Sequence, residues 1–181
     1  MSLSAVGVFC GSRFGADPTW TELARHTGRT LAERGVTVVY GGGHVGLMGV
    51  VADAAMAAGG RVIGVIPRQL YDREVGHDGV SELRVVESMH ERKQLMADLS
   101  DAFVALPGGV GTLEEIAEQW TWVQLGIHDK PCAFLDLPGQ GFWVPMRAVV
   151  DQMVEHGFVE AGAPSIPVFT DDLDALLDSL G

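Results

Sequence analysis

Ala102-Phe-Val-Ala-Leu-Pro-Gly-Gly-Val-Gly-Thr-Leu-Glu-Glu115 reads as a strand, a loop and a helix with no residue to spare between them. The apolar run 102–106 suits a buried strand, Pro107 ends it, and glycines follow at 108, 109 and 111. The helical pattern restarts at Thr112. Glycines this dense let a backbone close on a ligand and turn its N–H groups inward. The helix behind them adds its positive end, so an anion such as a phosphate is favoured there. Gly108, Gly109, Val110, Gly111 and Thr112 are thus the expected phosphate cradle, and two carboxylates, Glu114 and Glu115, follow at once.

The same grammar runs outward in both directions. Strands are expected at 5–10, 36–40, 62–66, 82–86 and 132–136, and a further short segment lies at 166–169. Helices are expected after Asp17-Pro18, with Trp20, Leu23, Ala24, Thr27 and Leu31 at helical spacing, and at 47–58, 88–99, 113–125, 142–156 and 172–180. The stretch 68–80 is polar and reads as an irregular, mobile loop near the ligand. Alternation of this kind predicts an α/β fold in three layers, a mostly parallel sheet with helices on both faces. Loops that follow strands then share the carboxyl edge, where ligands bind. Gly11-Ser12, Gly41 to Gly46, 67–80, Ser88 and Gly108 to Thr112 are expected on one rim.

At 181 residues the chain reads as one domain, 1–181. Its net charge of −12 lacks the basic footprint of a nucleic-acid or anionic-membrane binder, so any phosphate site has to be local. Only Cys10 and Cys132 are present, in no metal-ligand spacing, which points to a reducing cytoplasm. The apolar stretch 45–66 is broken by Asp53, Gly59-Gly60 and Arg61, and is read as helix–turn–strand rather than a membrane span.

Gly41-x-Gly43-x-x-Gly46 matches the dinucleotide fingerprint. It follows the second strand, however, and the next strand ends in Pro67-Arg68 instead of a ribose-binding acid, so a glycine turn over some nucleotide is expected and no redox cofactor. Ser88-Met-His-Glu91 and Thr112-Leu-Glu-Glu115 both fit the helix capping box, and taken alone that motif makes Glu115 a cap. Arg92 and Lys93 tell against so plain a reading. They sit near a helix start, where the dipole disfavours cations, and make sense if an anion or carboxylate faces them. Arg92 can hold Glu115 or a substrate phosphate; a solvated surface pair is the alternative. The six histidines are scattered and predict no metal site, and neither Lys93 nor Lys130 has the setting of a Schiff-base lysine. Trp120, Val123 and Ile127 mark one apolar face of helix 113–125 while Trp122 and Leu125 mark another, which suits deep core or a dimer face.

Taken together, Pro107-Gly-Gly-x-Gly-Thr-x-x-Glu115 and Met89-His-x-Arg92-Lys93 resemble the LOG ("lonely guy") family, cytokinin riboside 5′-monophosphate phosphoribohydrolases often mislabelled as lysine decarboxylases. Val8-Phe-Cys-Gly-Ser12, Tyr40-Gly-Gly-Gly43, Gly46-Leu-Met-Gly49, Glu74-Val-Gly76 and Trp122-x-Gln-Leu-Gly-Ile-His-Asp-Lys-Pro131 extend the resemblance over nearly the whole chain. It implies a Rossmann-like fold that takes a nucleoside 5′-monophosphate without NAD, in a homodimer. The family's catalytic pair falls on Arg92 and Glu115. Its substrate contacts fall on Glu74, Lys93, Gly108 to Glu114 (including Leu113) and Thr121, to which Ser12, Gly42, Gly43 and Met89 are added as rim residues. Arg13 departs from the small residue the family more often has after Cys-Gly-Ser. The chemistry suits the residues: N-glycosidic cleavage passes through an oxocarbenium-like ribose that a carboxylate stabilises, and a carboxylate also activates water. The rival expectation is a noncatalytic nucleotide or cofactor carrier of the same fold; a lysine decarboxylase stands third.

Overall fold

Runs such as Val62-Ile-Gly-Val-Ile-Pro67 have no polar side, so they are stable only when both faces of the strand are covered. A computed structural model, which describes residues 3–74 and 76–180, shows that arrangement. The strands are β1 (Ala5–Phe9), β2 (Thr37–Tyr40), β3 (Val62–Pro67), β4 (Glu82–Val86), β5 (Ala102–Ala105), β6 (Cys132–Leu135) and β7 (Val168–Thr170). They form one sheet in the order β4-β3-β2-β1-β5-β6-β7, with every pairing parallel. The helices are α1 (Thr19–Glu33), α2 (Gly46–Ala57), α3 (Arg68–Glu74), α4 (Met89–Leu99), α5 (Val110–Gln124), α6 (Val144–Glu155) and α7 (Leu173–Leu180).

Alternate strand residues divide between two cores. Val6, Val8, Val38, Tyr40 and Val104 pack with Leu23 and Leu31 of α1, Val51 of α2 and Leu176 of α7. Ala5, Phe9, Val39, Phe103 and Ala105 pack on the other face with Met96 of α4, Ile116 and Trp120 of α5 and Val150 of α6. The result is the expected three-layer, Rossmann-like α/β architecture. No helix among the described residues is long and apolar enough to cross a membrane.

Three details differ from the sequence-based expectation. The 166–169 segment leads into a seventh strand, β7, over Val168–Thr170, which extends the sheet beside β6. The stretch 68–80 is not irregular: it opens with α3, and past it Gly76 bridges Gly43 while the His77 N–H donates to the Gly42 carbonyl at 3.0 Å. Arg, Gln, Leu and Glu are good helix formers, and their polarity marks a surface helix as readily as a loop. Finally, α5 begins at Val110, before Thr112.

Candidate active site

The chain leaves β1 through β2, β3 and β4 on one side, then returns to β5 on the other, so the strand order reverses between β1 and β5. That reversal opens a crevice beyond the strand ends. The two loops flanking it are sewn together: the Gly11 N–H donates to the Pro107 carbonyl at 3.1 Å, and the Leu47 N–H donates to the Gly11 carbonyl at 3.0 Å. A cavity of about 590 Å³ lies there, bordered by Ser12, Arg92, Gly108 to Thr112 and Glu115. A Cβ on Gly108 would run into the Thr112 hydroxyl and lie 2.9 Å from the Gly11 nitrogen, so only glycine lets this loop fold back on its own helix.

Gly109 occupies the N-cap of α5 and no side chain caps the helix. The N–H groups of Val110, Gly111 and Thr112 therefore belong to the first turn, where a helix offers them no acceptor, and the helix dipole reinforces them. This start also settles the two capping-box motifs. In α4, the Glu91 N–H donates to Ser88 Oγ at 3.1 Å and the Glu91 carboxylate accepts from the Glu87 N–H at 2.8 Å, so that motif is a true cap. In α5, Thr112 is already inside the helix, and Glu115 is too far along to reach back. Its side chain, 13% exposed, instead faces Arg92, with Oε1 at 3.6 Å from Nη1.

Arg92 is buried at the start of α4 and reaches under the carboxyl ends of two strands. Its Nε donates to the Val65 carbonyl at 3.2 Å and its Nη2 to the Gly41 carbonyl at 3.1 Å. Nη1 is left pointing at Glu115, with Met89 Sδ at 3.8 Å. A buried guanidinium without partners would cost several kcal/mol; two carbonyls and a carboxylate offset that cost and fix its plane. Gly41 is what admits it, since a Cβ there would collide with Nη2. Cys10 lines the same cavity, but burial first, and the Glu115 charge second, push its thiol up, so it stays protonated and is no nucleophile.

The other expected residues divide into two groups. Ser12 and the loop Gly108 to Thr112 line the cavity beside Arg92 and Glu115. Met89 touches Arg92, while Gly42 and Gly43 lie behind it, tied to His77 and Gly76. Lys93, Leu113, Glu114 and Thr121 do not line that cavity. The Lys93 ammonium bridges Glu114 at 2.6 Å and Glu118 at 3.0 Å; partial burial pulls its pKa down, but these carboxylate hydrogen bonds outweigh it and the net shift is upward. Thr121 is exposed, its hydroxyl donating back to the Ala117 carbonyl at 2.7 Å. Glu74 closes α3, and its side chain lies outside the described residues. Sequence reasoning missed the far wall, which is Phe14, Trp20 and Phe142, with Arg13 beside them. Trp20 and Phe142 meet edge to face with centroids 5.6 Å apart. Trp20 fits its helix's apolar spacing and so reads as core; Phe142 lies too far along the chain for local patterning to bring it here.

The chain is similar to known proteins over most of its length. Residues 48–180 match the family model described as "Possible lysine decarboxylase". The chain is 48% identical over 159 residues to the cytokinin riboside 5′-monophosphate phosphoribohydrolase LOG of Oryza sativa subsp. japonica, covering 88% of this chain and 65% of that protein. To the phosphoribohydrolase LOG1 of Arabidopsis thaliana it is 44% identical over 173 residues, covering 96% and 80%. Among solved structures, the molybdenum cofactor binding protein of Rippkaea orientalis superposes with a TM-score of 0.73 at 20% identity, covering 99% of this chain and 96% of that one, a likeness of fold.

Proposed function

This chain belongs to the LOG family of cytokinin riboside 5′-monophosphate phosphoribohydrolases, and from that premise we propose that it hydrolyses the N-glycosidic bond of such nucleotides, and of AMP, to release the free base and ribose 5-phosphate. One observation carries the reading. A helix N-terminus able to take a phosphate stands about a turn from a carboxylate that faces a fixed guanidinium, all on one cavity.

Each part has a task. The N–H groups of Val110, Gly111 and Thr112 take the 5′-phosphate, which holds the ribose at the cavity mouth. Glu115 stabilises the positive charge that develops on the ribose and accepts a proton from the attacking water. Arg92, anchored by Gly41 and Val65, orients Glu115 and balances the negative charge of the nucleotide. Ser12 and Met89 border the substrate. Glu74, Lys93 and Thr121 would complete the site from the α3 end and the outer side of α5.

The carrier alternative is weaker because a carrier has no need for a carboxylate held against a buried arginine. Val110, Leu113, Leu125 and Ile127 leave apolar surface exposed along α5 and just beyond it, with Val110 85% and Leu125 68% accessible. We assign that strip to the homodimer contact, which would bring the Lys93 and Thr121 side of α5 against a second copy. Two buried, free cysteines agree with a cytoplasmic protein. The test is direct: incubate the protein with isopentenyladenosine 5′-monophosphate and with AMP, and quantify free base and ribose 5-phosphate. Equimolar appearance of both products is expected; nucleotide binding without either product would overturn the reading in favour of a carrier.

A further inference from the structure

The histidines that look scattered in sequence do not stay apart. His44, in the turn between β2 and α2, lies against His77, with ring centroids 4.2 Å apart. His77 Nε2 is 2.9 Å from Oδ1 of Asp53 on α2. One ligand atom from each of these three residues falls within 4.8 Å of the other two. The three come from separate pieces of backbone that the Gly43–Gly76 bridge and the His77-to-Gly42 hydrogen bond already hold in register. The cluster lies outside the lining of the active-site cavity.

We propose that His44, Asp53 and His77 form a binding site for a divalent transition cation, with Zn²⁺ as the fitting ion, that clasps the segment after α3 onto α2. Two imidazoles and a carboxylate are a donor set suited to Zn²⁺, leaving a fourth position for water. The geometry is near what the ion requires. Two bonds of about 2.0–2.1 Å at a tetrahedral angle separate ligand atoms by about 3.3 Å, so the His77–Asp53 pair at 2.9 Å opens only slightly to admit the ion. His44 and Asp53 are exposed, which lets the ion in and lets both side chains adjust, whereas His77 is 5% exposed and supplies the fixed anchor. The proton balance is simple. A neutral His77 whose Nε2 donates to Asp53 moves that proton to Nδ1 when the cation takes Nε2; Nδ1 is buried and has no hydrogen-bond partner among the described residues. No net proton is released, and the Asp53 charge lowers the cation's burden to one positive unit. The chain's net charge of −12 favours cation approach.

The site is independent of the reaction above, and its test does not use activity. The tag-free full chain is stripped with a chelator and titrated with Zn²⁺ alone against a competing fluorescent chelator. His44→Ala and Asp53→Asn change exposed side chains and are compared after their thermal unfolding has been checked. One equivalent of Zn²⁺ is expected on the native chain, weakened tenfold or more in each variant, and Co²⁺ substitution should give the visible d–d bands of a low-coordinate histidine site that His44→Ala abolishes. Less than one equivalent bound, or binding unchanged by His44→Ala and so due to the other histidines, would overturn the proposal and leave His77–Asp53 a hydrogen bond only.

Discussion

Replacing Gly41 by alanine puts a methyl group where the Arg92 guanidinium now lies. The new Cβ would overlap Nη2 and approach Cζ to 3.1 Å, while Met48 Sδ, at 3.4 Å, is at ordinary contact distance. Gly41 is not one of the positive-φ glycines, so alanine brings no backbone strain of its own. What has to move is the far end of one side chain, which loses its 3.1 Å hydrogen bond to the Gly41 carbonyl and pivots about the bond from Nε to Val65. A hydrogen bond from a charged donor contributes about 1.5–3 kcal/mol. If Arg92 acts by its position, that loss falls on the transition state and kcat/KM drops by about 10–150-fold, at tenfold per ~1.4 kcal/mol. Thermal unfolding should fall by only about 2–4 °C per kcal/mol lost, for a chain of this size. The assay is base release from isopentenyladenosine 5′-monophosphate, alongside a melting curve. A folded Gly41→Ala protein with wild-type kcat/KM would refute the claim that the two carbonyls set the guanidinium in its working place.

Other consequences are as concrete. Ser88→Ala removes the cap of α4, the helix that carries Arg92, and should cost about 1 kcal/mol in urea unfolding. Burial pushes the Cys132 thiol from its ordinary 9.0 up to about 12, and Cys10 shifts the same way. The folded state holds these protons more tightly, so their contribution is complete below pH 9.0 and is lost as pH rises toward about 12. The urea midpoint should therefore fall across that window, less steeply in Cys132→Val. Leu125→Glu places a charge in the exposed apolar strip at the end of α5; on the proposed homodimer contact, light scattering should report a dimer for the unaltered chain and a monomer for the variant.

Much of the fold was legible because parallel strands are buried on both faces, and five of the seven announce themselves as mostly apolar runs. The two edge strands are the exceptions: β4 is interrupted by Glu82 and Arg84, and β7 has only three residues, the first exposed. The start of α5 was misplaced for a physical reason: glycine is a poor helix former, so Gly109 and Gly111 read as loop until the sheet edge behind them fixes the backbone. That misplacement is what made Glu115 resemble a cap. Arg92 and Lys93 seemed to serve one anion, yet consecutive residues on a helix point about 100° apart, and the structure sends them to different places. Arg92 turns under β2 and β3 while Lys93 crosses to Glu114 and Glu118. The aromatic wall and the His44–Asp53–His77 cluster depend on contacts between distant segments, which no local pattern carries.

In the proposed reaction Glu115 performs the hydrolysis and is more than a polar residue of α5. Glu115→Gln keeps the size and leaves the α5 N-terminus untouched, so AMP binding, measured by calorimetry, should be largely retained. Removal of general-base and electrostatic assistance should lower kcat for base release by about 10²–10⁴-fold. A Glu115→Gln protein that binds AMP and still turns over at the wild-type rate would contradict the account.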